Sequence, residues 1–322
     1  MVIAYSGELA AIESYLSRLP LLNRQPISLY LPIRDFILVP GKRIRPLLTI
    51  LAYQLYCSDI EKVMPISVAV ECFHNFTLIH DDIIDCAPSR RGSPTVHVLY
   101  GQDAAIIAGD VLLVYCYELL LRCADAPLSA LVASFSAAAR LVCEGQMLDI
   151  DFPKRDNVHR EEYLEMIKLK TATLLGAALE LGAITANAPQ TEQKLLQNYG
   201  EAIGLVFQLQ DDILDLYATS VKSGKATGGD ILENKRTILW IAAWENSNEQ
   251  QKKDLTYWQN QPRSSEKVDA VRNIFDATQA RETAQELMQA YQQKANTYLE
   301  QLSHRSIERL NQLSQYLLER QQ

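Results

Sequence analysis

The chain has 322 residues, 48% apolar and 22% charged, which is enough to bury a substantial core and too apolar for a disordered protein. Its formal net charge of −8 argues against general attraction to nucleic acid or an anionic membrane surface, but leaves room for a local basic site that takes a small anion. Six cysteines without a CxxC pair, and five histidines at no zinc-type spacing, read as reduced, mostly buried thiols of a cytoplasmic protein.

The N-terminal MVIAYSGELAAIESYL lacks a basic leader and carries Glu8, so it does not read as a secretory signal. A loop at Val39–Gly41 runs into GKRIRP, Gly41–Pro46, where Pro46 suits a first helical turn. Just after Pro65, Ile66, Val70, Phe73, Phe76, Ile79 and Ile83 recur at three- and four-residue steps and predict a helix. Ala87–Pro94 reads as a loop. Ala104–Ala124 and Glu161–Ile184 read as long helices, with a loop at Pro153–Val158 between them, and Asn198–Tyr217 as another. The small-residue stretch Ala218–Gly229 reads as a loop containing Lys222 and Lys225, and Glu282–Gln322 as an amphipathic packing or subunit-contact segment.

Strands of period two with hairpin turns are not evident. Apolar runs are cut short by Gly109–Asp110 after Ala104–Ala108 and by Glu180 within Leu174–Ile184, so none is expected to span a membrane. Nothing marks a linker, which predicts a single all-α domain over residues 1–322.

The sharpest feature is HDDIID at His80–Asp85, which nearly returns as QDDILD at Gln210–Asp215. Residues four apart share a helix face, so Asp81 and Asp85 should project together with Asp82 on their flank. Gln208, Asp211, Asp212 and Asp215 should share a second face, kept open by Gly204 one turn earlier. Like charges at this spacing repel, and their neighbours are mostly Leu, Ile, Val and Phe rather than surface residues. A hard dication resolves the conflict. Mg²⁺ takes oxygen ligands and keeps water and phosphate in its shell.

Phosphate ligands should also find cations. Lys42 and Arg45 lie in GKRIRP, Arg90 and Arg91 in RRGSPTVH, Lys170 beside Thr171 in an apolar helix, and Lys225 and Lys235 in GKATGGDILENKRT. Lys42 with Arg43 could equally be a surface pair, and Lys168 reads as one. His74 fits either a satisfied core position or the inner face of the site; His80 and His97 read as structural. GKATGG is not a nucleotide P-loop, because its first glycine and its Ser/Thr are missing and no strand precedes it.

Taken in order, GKRIRP, HNFTLIHDDIID, RRGSPTVH, AGD, GQMLDID, LKTATLLG, FQLQDDILD and GKATGGDILENKRT resemble the trans-type isoprenyl diphosphate synthases, from about Gly41 to Thr237. That resemblance implies an all-α bundle of helices around a deep central cavity, usually a homodimer, that joins isopentenyl diphosphate head-to-tail to a C5, C10 or C15 allylic diphosphate. It implies Asp81, Asp85 and Asp211 as main Mg²⁺ ligands, with Asp82, Asp212 and Asp215 in support. Arg90, Lys170, Thr171, Gln208, Lys225 and Lys235 would hold the allylic diphosphate, with Lys170, Thr171, Gln208 and Lys225 at the reacting centre. Lys42, Arg45, His74 and Arg91 would hold isopentenyl diphosphate. Cys86-Ala87-Pro88 replaces the more polar link common in relatives, at the same length, and LLERQQ lacks the basic tail that some relatives carry.

The resemblance also assigns product length to Phe76 and Thr77, just upstream of the first cluster. Ideal helix geometry sets Thr77 beneath Asp81, with Phe76 about 100° around the helix. One aromatic beside one small residue implies a C20 product, with C15 next; ordinary core packing is the plainer reading of Phe76. A terpene cyclase would show a different second metal motif and no GKRIRP. A non-catalytic partner subunit would usually lose one acidic cluster.

Overall fold

Residues 4–123, 125–155, 157–218, 227–302 and 304–318 are described by a computed structural model. Among them the α-helices are α1 (Ser6–Ser17), α2 (Ile27–Ile37), α3 (Ile44–Gln54), α4 (Met64–Ile84), α5 (Val96–Tyr100), α6 (Gln102–Leu120), α7 (Leu128–Asp151) and α8 (Arg160–Ile167). They continue as α9 (Thr173–Thr185), α10 (Gln190–Tyr217), α11 (Gly229–Leu232), α12 (Ile238–Asn246), α13 (Glu249–Gln259), α14 (Ser265–Ala277), α15 (Ala280–Glu300) and α16 (Glu308–Leu318). The only strands described are the two-residue β1 (Ser89–Arg90) and β2 (Ser93–Pro94), paired antiparallel. The fold is all-α.

Two units divide the chain: Met1–Ala139 with Ala177–Gln197 and His304–Leu310, and Arg140–Gly176 with Asn198–Ser303 and Asn311–Gln322. In the first, α4 is the central element. Pro65 sits in its opening turn, where the missing N–H costs nothing. Its apolar stripe Ile66, Val70, Phe73, Phe76 and Ile79 is buried, each side chain contributing roughly 1.5–3 kcal/mol of burial. The helix closes at Asp85, and Cys86 turns the chain at φ +50. Helix α6 packs closely along α4 because Gly109 has no side chain: a Cβ there would lie 2.2 Å from His80 Nε2. His80 in turn meets the carbonyl of Ile106 at 3.0 Å, so it is structural, as expected.

In the second unit, the predicted helix Glu161–Ile184 is interrupted. Lys168–Ala172 forms a π-helical turn between α8 and α9, and it carries Lys170 and Thr171. Such a turn inserts one extra residue and marks functional sites more often than plain helix does. Two glycines cradle it. A Cβ on Gly145 of α7 would lie 2.3 Å from the Lys170 backbone nitrogen, and one on Gly204 of α10 would lie 2.5 Å from Ala172 Cα. Gly204 therefore does not keep the acidic face open, as the spacing suggested; it admits the π turn.

Other expectations need correction. Leu128–Lys154 is long and apolar enough by composition to cross a membrane, with mean hydropathy 1.3; its many Ala and Ser residues hide this from a search for Leu-rich runs. Arg140 and Glu144 form an ion pair one turn apart on it. Cys72, Cys116 and Cys123 are buried, but Cys86 and Cys143 are exposed, and no disulfide joins any of the six. Ile84, beside the first cluster, is 47% exposed. Residues 219–226 of the predicted loop, and with them Lys222 and Lys225, lie outside the described residues. In the C-terminal segment Ala295, Leu302, Leu310, Leu313 and Leu317 are buried, as the amphipathic pattern predicts, and Tyr291 and Tyr298 are half-buried.

Candidate active site

In the first unit, the three aspartates of the first cluster separate by environment. Asp81 is half-buried and Asp85 exposed at the helix end, but Asp82 is only 1% exposed. It does not lie on an open flank. Its Oδ1 accepts from Arg90 Nε at 2.8 Å, while its buried Oδ2 has no partner among the described residues. Burial raises the Asp82 pKa against the lowering influence of Arg90. Arg90 reaches Asp82 because the β1–β2 hairpin folds the chain back beside α4, with Thr95 Oγ1 donating to the Ala87 carbonyl at 2.7 Å.

GKRIRP opens α3 in the same unit. Lys42 is exposed, Arg45 half-buried and Arg43 buried, which rules out a Lys42–Arg43 surface pair. Arg45 Nη1 lies 3.2 Å from His74 Nε2 on α4. Burial, and then the charges of Arg45, Arg91 and Arg90, hold the His74 pKa well below its ordinary value, so the ring is neutral and accepts from Arg45. Arg91 lies against Gly41, where a Cβ would come within 2.9 Å of its Nη1. Lys42, Arg45, His74 and Arg91 thus belong to one neighbourhood.

Phe76 is 7% exposed and packs on Phe73 (ring centroids 5.4 Å apart) and His80 (4.8 Å). Thr77 is half-buried and donates to its own helix, at the His74 carbonyl, across 2.8 Å.

In the second unit a cavity of about 150 Å³ is lined by Asp149, Tyr163, Lys170, Thr171, Gln208, Asp212, Asp230 and Lys235 among others. The π turn aims Thr171 at Gln208: the hydroxyl donates to Gln208 Oε1 at 3.0 Å, and Gln208 Nε2 donates to Asp212 Oδ1 at 3.1 Å. Asp212 Oδ2 also accepts from the Tyr163 hydroxyl and, at 3.5 Å, from the Ile238 N–H. Burial, and then the charge of Asp230, push the Asp212 pKa up to about 8. A carboxyl so enclosed orients its neighbours, while Asp211 and Asp215 remain partly open.

Lys170 is not an isolated buried ammonium. Its Nζ meets Asp149 Oδ2 at 2.5 Å. Lys235 pairs with Glu233 at 3.0 Å and Asp230 at 3.4 Å, and these acids raise its pKa against the opposing effect of burial. Asp215 Oδ2 accepts the Asp230 backbone N–H at 3.0 Å, which ties α11 to the second cluster. Asp149 and Asp230 stand within GQMLDID and GGDILENK, but neither belongs to a repeated DDxxD cluster that would mark it. Tyr163 gave no signal, because an aromatic on a helix reads as core.

The donors fit a divalent metal. Asp82 has an orphaned buried oxygen, Asp81 and Asp85 sit one turn apart, and Asp149, Asp212 and Asp230 line the cavity of the second unit. Among the described residues no three His, Cys, Asp or Glu side chains converge into a complete site.

Comparison with known proteins agrees with this chemistry. The polyprenyl synthetase family profile matches residues 27–278. A short chain isoprenyl diphosphate synthase of Methanocaldococcus jannaschii is 45% identical over 230 residues, 70% of this chain and 69% of that protein. A geranylgeranyl pyrophosphate synthase of Geoglobus acetivorans is 37% identical over 302 residues, 92% of each chain. The crystal structure of geranylgeranyl pyrophosphate synthetase from Pyrococcus horikoshii superposes with a TM-score of 0.91 at 31% identity, covering 99% of this chain and 98% of that one. Solved structures of the same fold, 26% and 25% identical, are complexes of isoprenyl diphosphate with calcium and with magnesium. With an all-α fold, two aspartate clusters and their attendant cations, this chain belongs to the polyprenyl synthetase family and is a prenyltransferase.

Proposed function

We propose that the chain condenses isopentenyl diphosphate with an allylic diphosphate to give an all-trans product, C20 geranylgeranyl diphosphate ahead of C15. The observation that carries this reading is the Thr171–Gln208–Asp212 relay set between Lys170 and Lys235 around one cavity. It supplies cations for a leaving diphosphate and oriented hydroxyl and amide dipoles for the carbocation it leaves behind.

Asp81, Asp85 and Asp211 would hold Mg²⁺, with Asp82, Asp212 and Asp215 behind them; the ion, when bound, neutralises charge building on the departing diphosphate. Arg90, Lys170, Lys225 and Lys235 share that task. A unit charge pair at 4 Å is worth about 4 kcal/mol at an effective dielectric near 20, and several act together. The allylic C–O bond breaks with its electron pair on diphosphate. Thr171 and Gln208 supply hydroxyl and amide dipoles near the cation without a nucleophile strong enough to trap it. Lys42, Arg45, His74 and Arg91 hold isopentenyl diphosphate so that its double bond supplies the electrons of the new C–C bond. Loss of a proton from the adjacent carbon to the released diphosphate then restores a double bond.

Phe76 is proposed as the floor that stops the growing chain, with Thr77 leaving room beside it; its bracing by Phe73 supports this role. A cytoplasmic homodimer is part of the proposal. Ile107, Val114 and Leu121 lie seven apart around α6 at 51%, 61% and 65% exposure, an apolar stripe suited to a second copy. Purified protein given Mg²⁺, isopentenyl diphosphate and C5, C10 or C15 primers, with products read by mass spectrometry, tests the reading: C20 should dominate, and failure to elongate any primer would sink it.

A further inference from the structure

Arg43 is the basic residue of GKRIRP without a role in the proposed chemistry, and it is the one buried most deeply: its side chain is 1% exposed. Its guanidinium is fully occupied. Nε donates to Glu13 at 2.8 Å and Nη1 to Glu71 at 2.6 Å, while Nη2 reaches the carbonyls of Ile37 at 2.9 Å and Val39 at 3.1 Å. One planar fork therefore joins α1, the carbonyl end of α2 and α4, a geometry that Arg can satisfy and Lys cannot. The Ile37 carbonyl closes α2 at the negative end of that helix's dipole, which favours a cation there.

The backbone at Arg43 explains why so much is invested. Its φ is +48, in the left-handed region that residues with a side chain rarely adopt. This residue is the turn that reverses the chain into α3, so it sets the directions in which Lys42 and Arg45 leave the loop. Lys42 points to solvent, and Arg45 reaches His74, which lies one turn beyond Glu71 on α4. Gly41, two residues before Arg43, receives the guanidinium of Arg91.

We propose that Arg43 is a positioning residue for the isopentenyl diphosphate site: its ion pairs with Glu13 and the buried Glu71 lock the left-handed turn that aims Lys42 and Arg45 and seats Arg91. This rests on the function proposed above. The cost of misplacement should fall on one substrate. Displacing binding groups by about 1 Å can cost on the order of 10²-fold in rate, and here only the groups for isopentenyl diphosphate depend on the turn.

Steady-state kinetics of Arg43→Lys, with each substrate varied in turn, tests this. KM for isopentenyl diphosphate should rise about tenfold or more, with KM for the allylic diphosphate unchanged. Glu13→Gln, which removes a partner 44% exposed in its side chain, should show a smaller rise of the same kind and serves if Arg43→Lys does not fold. Equal rises in both KM values, or a lowered unfolding midpoint with both KM values intact, would reduce Arg43 to a structural residue. An active wild type with unaltered KM in both variants overturns this role alone; a wild type that consumes no isopentenyl diphosphate overturns the function and this role together.

Discussion

Gly204 and Ala172 approach so closely that a Cβ on Gly204 would stand 2.5 Å from Ala172 Cα, well inside any real contact. The second acidic cluster begins about two turns after Gly204 on α10, and Thr171 immediately precedes Ala172. This contact therefore sets how near the π turn comes to the carboxylates. Gly204→Ala should destabilise the protein by about 1–3 kcal/mol through overpacking, read from urea unfolding. It should also lower kcat, because Thr171 would be pushed from Gln208. A variant with wild-type stability and rate would mean that the π turn is not held in this way.

His74 gives a pH dependence of definite sign. Its folded pKa lies well below the ordinary value near 6.5 because of burial and the surrounding arginines. Above that pH both folded and unfolded forms are neutral and nothing changes. Below it the unfolded chain takes up a proton that the folded one refuses, so stability falls with pH by up to about 1.4 kcal/mol per unit. Urea titrations at pH 7 and pH 5 should show a smaller loss for His74→Gln than for wild type. Equal losses would place a charged, solvated imidazole at this position.

Phe76→Ala removes the ring that packs on Phe73 and His80 and should open space beyond the C20 product. Mass spectrometry of the products should show C25 and longer chains, with total turnover largely kept. Unchanged product lengths would return Phe76 to ordinary core.

The acidic clusters were legible because carboxylates among Ile, Leu and Phe need a local reason, and four-residue spacing puts them on one face. The all-α fold was legible for the same reason, from the steps of Ile66 through Ile83. The π turn was not. It differs from α-helix by one inserted residue, and nothing in Lys168–Ala172 signals that; only Gly145 and Gly204, far apart in the chain, make room for it. Arg43 read as surface because its partners Glu13 and Glu71 are 30 and 28 residues away. Asp149, the partner of Lys170, lies 21 residues away with no spacing pattern to link the two. Asp82 and Asp85, three apart, differ because the helix ends between them, which the repeated-aspartate pattern cannot express.

The central claim is that both acidic clusters are needed for prenyl transfer, and single-turnover elongation by Asp81→Ala and Asp211→Ala at saturating Mg²⁺ tests it most directly. With folding verified by circular dichroism, each variant should lose on the order of 10²–10³-fold or more in rate. Near-wild-type elongation by either one would contradict the account.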